Sequence, residues 1–405
     1  MSELTYLEKL LDGVKVEWQT LGKVLKRTKG TKITAGQMKA LHKDNAPLKI
    51  FAGGKTVAFV DFKDIPEKDI NREPSIIVKS RGIIEFEYYD KPFSHKNEMW
   101  SYHSNNDAIS IKYIYYFLKI NEGYFQKIGG KMQMPQIATP DTDKFEVPIP
   151  CPDNPEKSLA IQSEIVRILD KFTALTAELT AELNMRKKQY NYYRDQLLSF
   201  DESSVEWKTL LEACDYVDYR GKTPKKTQSG IFLVTAKNIR MGYIDYHASQ
   251  EFISEEDYAI VMRRGLPKKG DVLITTEAPC GFVAQVNREN IALAQRVIKY
   301  RSKNTQLSNS FLKHYLLGSQ FQDKLMQAAT GSTVKGIKGS RLHQLKIPIP
   351  SKVEQDRIVA ILDKFDTLTN SITEGLPREI ELRQKQYEYY RDLLFSFPTP
   401  ETVSN

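Results

Sequence analysis

The sequence predicts an α+β fold in which two α/β domains are joined by two long helices that arise from an internal duplication. Three observations lead to this prediction. A segment that begins near residue 160 and ends at Phe200 is repeated later in the chain, and the second copy has a closely similar end at Phe397. Residues 15–150 and 205–350 are rich in short β-branched and aromatic runs punctuated by Gly and Pro. With 405 residues, the chain is long enough for two or three domains with hydrophobic cores of their own.

The repeated segment is the strongest signal in the chain. Its first copy ends in Lys-Gln-Tyr-Asn-Tyr-Tyr-Arg-Asp (188–195), and its second copy ends in Lys-Gln-Tyr-Glu-Tyr-Tyr-Arg-Asp (385–392). Both copies contain Ile-Leu-Asp-Lys-Phe and follow a Pro-Ile-Pro run that ends at Pro150 or Pro350. A repeat of this length indicates a duplicated half rather than a chance similarity.

Each copy predicts a long amphipathic helix. Apolar residues recur at steps of three and four from Ile161 to Leu197 and from Ile358 to Leu394, which is typical of a coiled-coil seam. We expect the two helices to bury these stripes against each other; the alternative is that each packs separately on its own globular region. Gly375-Leu376-Pro377 in the second copy is expected to break or kink that helix.

The duplication is circularly offset. A short helix is predicted over residues 3–12 and is followed by Trp18, just as the end of the first repeat is followed by Trp207. The N-terminus therefore resembles the tail of the second repeat, and we expect it to continue the structure left at Phe397. The predicted divisions are an N-terminal helix, a first globular domain, a central helix, a second globular domain and a distal helix with its tail: 1–14, 15–150, 151–204, 205–350 and 351–405.

Composition narrows the functional classes. The net charge of +8 favours an anionic partner, of which nucleic acid leads. Three cysteines without a C-x-x-C spacing and six histidines without H-E-x-x-H predict no disulfide framework and no metal site. No secretion signal and no run of about 18 apolar residues is found, so a cytoplasmic location is expected.

The catalytic motifs that were sought do not occur. Gly54-Lys55-Thr56 contains G-K-T, but a P-loop needs glycine at position 49, which is lysine. Gly221-Lys222-Thr223 fails in the same way, with tyrosine at position 216. There is no G-x-G-x-x-G, no G-x-S-x-G and no adenine-methyltransferase tetrad. These absences predict a chain without a catalytic site or cofactor of its own.

Short loops of Gly, Thr, Lys and Arg recur at matching places in the two globular regions. Such loops suit phosphate contacts through backbone N–H groups and cationic side chains, although each alone is equally a solvated basic loop. The predicted DNA-binding residues in the first region are Lys29, Lys32, Lys55, Lys79, Arg81 and Lys96. Those in the second region are Arg220, Lys222, Lys225, Lys237, Arg240, Lys335 and Lys338.

Taken together, these motifs resemble the specificity subunit of a type I restriction-modification enzyme, most like the type IC branch. The resemblance covers essentially the whole chain and is carried by the repeated blocks, the circular offset, the run 219–224 and Gly331-Ser332-Thr333. It implies two α/β target-recognition domains spaced by an antiparallel pair of helices. Each domain is then expected to read one half of a bipartite, asymmetric site in double-stranded DNA.

The resemblance also implies partners. Two methyltransferase subunits are expected to use S-adenosylmethionine for adenine methylation, and two restriction subunits to use ATP and Mg for translocation and cleavage. This chain would hold none of these cofactors. Exposed residues beside the helical stripe are predicted to dock the methyltransferase subunits, unless they simply pack on the neighbouring domain: Tyr192, Arg194, Tyr389 and Arg391.

One further motif lies in the first helix, where Thr-Ala-Glu-Leu is repeated in tandem over residues 176–183. The tandem is interpreted as a spacer element, defined by Thr176, Leu179, Thr180 and Leu183, that sets the distance between the two half-sites. Two other functions stay open at this point. One is a self-contained methyltransferase or a nucleotidase using Lys55-Thr56, and the other is a coiled-coil scaffold that ignores DNA.

Overall fold

The computed structural model describes residues 6–130, 133–219, 224–371 and 373–398. The chain forms two compact units that are not contiguous in sequence. Unit 1 comprises residues 1–176 and 383–405, and unit 2 comprises residues 177–382. None of the helices in the described ranges is long and apolar enough to cross a membrane.

The described residues of unit 1 form nine strands and the helices around them. Its strands are β1 (Val16–Thr20), β2 (Lys26–Lys29), β3 (Leu48–Phe51), β4 (Val57–Val60), β5 (Ser75–Lys79), β6 (Glu85–Tyr89), β7 (Phe93–His95), β8 (Trp100–His103) and β9 (Glu146–Pro150). Its helices are α1 (Tyr6–Leu11), α2 (Leu21–Val24), α3 (Ala35–Leu41), α4 (Ile111–Ile120), α5 (Glu122–Gly129), α6 (Thr139–Asp143) and the start of α7 (Pro155–Leu197). Short 3₁₀ turns lie at Phe62–Asp64 and Glu67–Asp69.

Unit 2 repeats this architecture. Its strands are β10 (Glu206–Thr209), β11 (Cys214–Asp218), β12 (Lys226–Thr227), β13 (Ile231–Val234), β14 (Phe252–Ile253), β15 (Val272–Thr276), β16 (Cys280–Gln285), β17 (Ile291–Leu293), β18 (Val297–Ser302) and β19 (Lys346–Ile349). Its helices are α8 (Leu210–Ala213), α9 (Glu255–Val261), α10 (Asn309–Leu317), α11 (Ser319–Ala328), α12 (Gly339–Leu342) and α13 (Lys352–Asn370), with a 3₁₀ turn at Met262–Arg264. The last helix, α14 (Gly375–Leu394), begins in unit 2 and ends in unit 1.

The sheets of the two units share one topology. A four-stranded antiparallel sheet has the order β2-β8-β5-β6 in unit 1 and β11-β18-β15-β16 in unit 2. A smaller sheet contains one parallel pair, β3 with β7 or β13 with β17. The Pro-Ile-Pro strands β9 and β19 pair with the strands that carry Trp18 and Trp207. The predicted α+β class and the internal duplication are confirmed.

Most predicted elements occur where the sequence places them, and one differs. The sequence predicts a single helix over residues 310–327, but the structure has two helices, α10 and α11, which are separated at Gly318. Gly318 has extended backbone angles (φ −68°, ψ 149°), and Leu198, directly after α7, lies 3.5 Å from where its Cβ would be. The chain turns here because the helix end packs against the end of α7.

The long helices contact each other within each unit. In unit 1, the ring of Phe172 stacks on Tyr390 with centroids 5.4 Å apart. In unit 2, Tyr190 and Tyr193 both stack on Phe365. The predicted break in the second copy lies between Asn370 and Gly375, which has φ +73°, and Pro377 follows in the first turn of α14, where proline is tolerated.

The circular offset is visible in the core of unit 1. Phe395 and Phe397, which follow α14, pack on Tyr113 and belong to the same buried cluster as Leu7 of α1. In unit 2, Leu198 at the end of α7 joins the buried core, and Phe200 packs on Phe311. The end of the second repeat therefore completes unit 1 as the end of the first completes unit 2.

Candidate nucleic-acid interface

The first basic loop of unit 1 is held rigidly by backbone contacts. The Thr31 N–H donates to the His95 carbonyl at 2.7 Å, and Thr31 also bridges to Lys96. A Cβ on Gly30 would lie only 2.4 Å from the Lys96 carbonyl oxygen, so glycine is required for this close approach. The loop therefore presents Lys29 and Lys32, both exposed, beside the loop that carries Lys96.

A cleft of about 940 Å³ opens beside this loop. Its walls include Lys29, Lys32 and Lys68, together with Asp64 and Asp69 from the 3₁₀ turns. The lining is mixed in charge, so the cleft is not a uniformly cationic pocket.

A second pair of loops in unit 1 meets at the end of β5. The Ile137 N–H donates to the Ser80 carbonyl at 3.0 Å, while the Ser80 hydroxyl donates to the Glu98 carbonyl at 2.6 Å. Arg81 bridges to Gln136 and is exposed. The Phe51 carbonyl at the end of β3 accepts from the Lys96 N–H, so the turn that holds Lys55 follows directly from the same place.

Lys79 differs from the other predicted contacts because its ammonium is already used inside unit 1. Its side chain is 8% exposed, and its Nζ lies 2.6 Å from Glu85 and 2.8 Å from Glu87. Burial opposes the charge on Lys79, but hydrogen bonds to both carboxylates raise its pKa above the usual value. The expectation that Lys79 faces DNA is corrected: it holds the β5–β6 pair together.

His95 lies beneath the basic loop and is fully buried. Its ring nitrogens lie 3.2 Å from the Lys96 carbonyl and 3.1 Å from the Ser101 hydroxyl. Burial lowers its pKa to about 4, against an opposing hydrogen bond to the Lys96 backbone. The ring is therefore neutral at pH 7 and acts as a support for the loop.

In unit 2, part of the first basic run lies outside the described residues, namely Arg220 and Lys222. Lys225 is exposed, and its backbone N–H donates to Asp257 at 3.0 Å. Lys237 is exposed after β13, on a turn fixed by the buried amide of Asn238, which donates to two backbone carbonyls. Arg240 lies 3.6 Å from Asp245 and is 43% exposed.

Lys335 and Lys338 lie on a closed loop of unit 2. Thr330 and Gly336 exchange two backbone hydrogen bonds, and the Ile337 N–H donates to the Thr276 carbonyl at 2.9 Å. Gly331 has φ +113°, and a Cβ there would lie 2.0 Å from the Val334 carbonyl oxygen, so this turn requires glycine. Both lysines are exposed beside the turn after β15.

Sequence reasoning missed two cations in these loops. Lys68 lines the cleft of unit 1, and Arg296 lies between β17 and β18 with a side chain that is 54% exposed. Neither residue lies in a run rich in Gly, Thr and Lys, and such runs are the sequence signal that predicts the DNA-binding loops. Only the strand register brings Arg296 next to the turn that follows β15.

The predicted docking residues divide into exposed tyrosines and partly covered arginines. Tyr192 and Tyr389 are 61% and 65% exposed. Arg194, in contrast, has only 14% of its side chain exposed and lies over the Tyr190 ring, so its predicted exposure is corrected. Arg391 lies over Tyr387 and pairs with Asp392 at 2.7 Å.

The tyrosines on the apolar stripes of the helices are expected to be core residues, and the structure agrees only in part. Tyr190 is buried, as expected of a core residue, but Tyr193 and Tyr390 remain 46% and 42% exposed although each stacks on a phenylalanine. One face of each ring is therefore available. Thr176, Leu179, Thr180 and Leu183 of the spacer motif all lie within α7.

Among the described residues, no group of three or more histidine, cysteine or acidic side chains is placed to hold a metal ion. Cys214 and Cys280 are buried free thiols, and Cys151 is partly exposed. The chemistry that the exposed loops offer is thus that of cations and backbone N–H groups, which bind anions.

Comparison with known proteins identifies the family. Residues 15–186 and 207–382 each match the type I restriction modification DNA specificity domain. The chain is also 44% identical, over its whole length and that of its relative, to the type I restriction enzyme EcoR124I/EcoR124II specificity subunit of Escherichia coli. The chain belongs to the family of type I restriction-modification specificity subunits. This likeness supports the predicted type IC branch, and the family is one of DNA-recognition subunits rather than catalytic ones.

Other specificity subunits agree. The EcoprrI specificity subunit of Escherichia coli is 36% identical, with 92% of this chain and 93% of the relative covered. The crystal structure of the S subunit of a type I restriction-modification system from M. genitalium has a TM-score of 0.60 at 17% identity, covering 96% of this chain and 98% of that one. A structure of a type I restriction-modification complex gives a TM-score of 0.56 at 14% identity, covering 94% and 97%. These structures share the fold of this specificity subunit.

Proposed function

We propose that this specificity subunit gives a type I restriction-modification complex its DNA sequence preference, with each unit reading one half of a bipartite, asymmetric site. The observation that carries the proposal is the matched placement of basic loops. In unit 1 and in unit 2, the loop that precedes α6 or α12 is hydrogen-bonded to the turn after β5 or β15, and cations flank both junctions. Two modules of different sequence with one loop architecture suit two different half-sites.

The exposed lysines of these loops supply the phosphate contacts in this proposal. Lysines on short, backbone-locked loops neutralise phosphates without a large loss of loop entropy, and they set the register of each unit on the duplex. The proposed set of DNA-contacting cations retains twelve of the predicted residues, including the partly exposed Lys96, and omits Lys79, whose ammonium is enclosed between two carboxylates inside unit 1. It gains Lys68 and Arg296, which lie beside the retained cations.

The helices supply the spacer and the docking surface. Two methyltransferase subunits are proposed to bind at Tyr192 and Tyr389, and two restriction subunits complete the complex. S-adenosylmethionine, ATP and Mg belong to those partners, and the complex acts on DNA in the cytoplasm. The exposed tyrosines support this proposal because aromatic side chains are enriched at protein interfaces.

The test is methylation mapping in cells that carry this subunit with its methyltransferase partner. We expect one bipartite motif with methylated adenines, and no such motif when the specificity subunit is omitted. A gel shift on random DNA, with and without the methyltransferase, checks binding directly. Binding of S-adenosylmethionine or ATP by the isolated chain, or methylation that persists without the chain, would contradict the proposal.

A further inference from the structure

The strand registers make individual positions of the two units equivalent. Arg81 forms an antiparallel bridge with Gln136, and the next residue, Ile137, donates its N–H to the Ser80 carbonyl. In unit 2, Glu277 bridges to Gly336, and the next residue, Ile337, donates to the Thr276 carbonyl. Arg81 and Glu277 therefore occupy the same position, one residue beyond Ser80 or Thr276.

A second pair of positions follows from the neighbouring strand. The Lys96 N–H donates to Phe51 at the end of β3, and the Ala294 N–H donates to Val234 at the end of β13. Two residues further along, Glu98 in unit 1 corresponds to Arg296 in unit 2. The central sheets give the same alignment, because Val78 pairs with Trp100 where Ile274 pairs with Ile298.

The same two neighbouring positions thus carry an arginine and a glutamate in both units, but with the charges exchanged. The Glu98 carbonyl accepts from the Ser80 hydroxyl at 2.6 Å, and the Arg296 carbonyl accepts from the Thr276 N–H at 2.8 Å. In each unit the position before β8 or β18 is therefore tied by one hydrogen bond to the residue that precedes the turn position, Ser80 or Thr276. The turn carries the cation in unit 1 and the carboxylate in unit 2.

In unit 2, fold stability does not account well for these side chains. Arg296 Nε lies 3.6 Å from Glu277, and the two side chains are 54% and 47% exposed. Ion pairs this exposed contribute little, about 0–1 kcal/mol. Arg296 also adopts φ +70°, a backbone conformation that non-glycine residues seldom occupy and that is found preferentially at functional sites.

A carboxylate among phosphate-binding loops has a restricted use. It repels phosphate oxygens, so on a DNA-facing loop it is favourable only where it accepts a hydrogen bond from a base. Glutamate accepts from the N4 amino group of cytosine, and arginine donates two hydrogen bonds to O6 and N7 of guanine. In a G·C pair, O6 and N4 are hydrogen-bonded to each other, so neighbouring arginine and glutamate side chains match the two edges of one pair.

We propose that the pair Arg81 and Glu98 in unit 1, and the pair Arg296 and Glu277 in unit 2, each read one G·C base pair. Because the charges are exchanged between the two positions, guanine lies beside the turn position in unit 1, whereas cytosine lies beside it in unit 2. The inference rests on the proposed function, since it names base-reading residues within the half-sites. Arg81 and Arg296 contact guanine, and Glu98 and Glu277 contact cytosine. In unit 1 the Glu98 carboxylate is held by a lysine of the same unit, because Lys96 Nζ lies 2.8 Å from it.

The experiment is a charge exchange in unit 2, Glu277→Arg with Arg296→Glu, in the full chain with its methyltransferase partner. The exchanged variant keeps an ion pair between the same positions but presents the opposite arrangement to DNA. Methylation mapping is expected to show G·C replaced by C·G at one position of one half-site, with the other half-site unchanged. Two unaltered half-sites would overturn the proposal. The pair would then be only an ion pair that links the turn after β15 to the segment before β18.

The matched control is the same kind of exchange at Glu354 and Arg357, an exposed pair on α13, and it should leave the motif intact. If the unit 2 exchange abolishes methylation everywhere, Arg296→Lys is measured, since lysine keeps the charge but lacks the two-donor fork. Discrimination at one G·C pair should then fall by about 10- to 100-fold. An unchanged preference, or a wild-type half-site without a G·C pair, overturns the proposal. A wild-type complex with no bipartite motif contradicts the proposed function instead.

Discussion

At the residue scale, burial decides what a lysine in this protein does. Lys32 is exposed on a loop fixed by Gly30, whereas Lys79, which sequence places in an equally basic setting, is enclosed with two glutamates. The first lysine is free to neutralise a phosphate. The second contributes to folding because its removal leaves carboxylates without their partner.

Replacing each of these lysines by Ala separates the two roles. Lys79→Ala should lower the free energy of unfolding by about 1–3 kcal/mol, because partly buried carboxylates lose a charged hydrogen-bond partner. Lys32→Ala, or Lys225→Ala in unit 2, should leave stability nearly unchanged but reduce the salt dependence of DNA binding by roughly one unit of slope. Urea unfolding and binding at several salt concentrations measure both. An unchanged slope in Lys32→Ala would place the phosphate contact elsewhere.

His95 makes the free energy of unfolding depend on pH. Its folded pKa of about 4 lies below its ordinary value of 6.5, so the unfolded chain binds the proton more readily. The stability contributed by the neutral, buried ring is therefore complete above pH 6.5 and is lost as pH falls towards 4. The loss is about 1.4 kcal/mol per pH unit, or about 3 kcal/mol in all.

Thermal unfolding at pH 7.5 and pH 5 checks this. His95→Asn should be less stable at pH 7.5 but should lose less on acidification than the wild type. His247→Asn, at an exposed position, is the control and should keep the wild-type pH dependence. Equal acid sensitivity in His95→Asn and the wild type would show that other groups control it.

At the scale of elements, the helices and loops divide the work. Loops between the strands carry the cations, and the loops that precede α6 and α12 are fixed by backbone hydrogen bonds to the turns after β5 and β15. The helix α7 is continuous from Pro155 to Leu197 and contains the tandem Thr-Ala-Glu-Leu motif. Changes within α7 can therefore leave the reading loops untouched.

Inserting one more Thr-Ala-Glu-Leu unit after Leu183 should lengthen the unread spacer by about one base pair. Four residues extend a helix by about 6 Å and turn it by about 40°. One base pair turns DNA by roughly 35° and advances it by about 3.4 Å. The rotation matches, and the excess length must be absorbed, for which the break between Asn370 and Gly375 offers a site.

Methylation mapping of the insertion variant decides the outcome. Both half-sites should keep their bases, because neither reading unit is altered. A scrambled insertion of four helix-forming residues with leucine at the same position is the control and should act similarly if length alone matters. An unaltered spacer, or altered half-site bases, would exclude the role of the motif as a spacer element.

The exposed tyrosines on the helices are predicted to bind the methyltransferase subunits. Tyr192→Ala combined with Tyr389→Ala should weaken assembly with the methyltransferase at low protein concentration, because each removes a largely exposed ring beside the seam. Tyr243→Ala, at an exposed position in unit 2, is the control. Analytical ultracentrifugation measures assembly, and normal assembly of the double variant would exclude this face.

At the scale of the whole molecule, neither unit is a contiguous piece of sequence. Unit 1 needs Phe395 and Phe397 to cover Tyr113, and unit 2 uses Leu198 and Phe200 at the equivalent place. The two tails come from copies of one repeat, so each is built to cover the same kind of core.

A fragment that ends at Phe200 tests this equivalence. It keeps one reading unit and the first repeat, whose tail can cover Tyr113 of a second copy in place of Phe395 and Phe397. We expect it to dimerise and, with the methyltransferase, to recognise a symmetric site made of two identical halves. Light scattering and methylation mapping check the two parts, and a fragment that stays monomeric with methyltransferase present would contradict the expectation.

The sequence by itself determined the duplication, the long helices, the circular offset and the family, because repeated motifs and apolar spacing are properties of the chain alone. It also located the basic loops, since Gly, Thr and Lys runs are local signals. It misjudged Lys79, whose carboxylate partners lie on the neighbouring strand β6, and Arg194, whose guanidinium lies over the ring of Tyr190 one turn earlier in α7.

Only the tertiary structure decided which side chains share a position in the two units. Arg81 and Glu277 have opposite charges, so no sequence similarity relates them, and their equivalence depends on hydrogen bonds between segments more than 50 residues apart. Strand register is set by packing across the sheet and not by local sequence, which is why the exchanged pair was visible only in the folded chain.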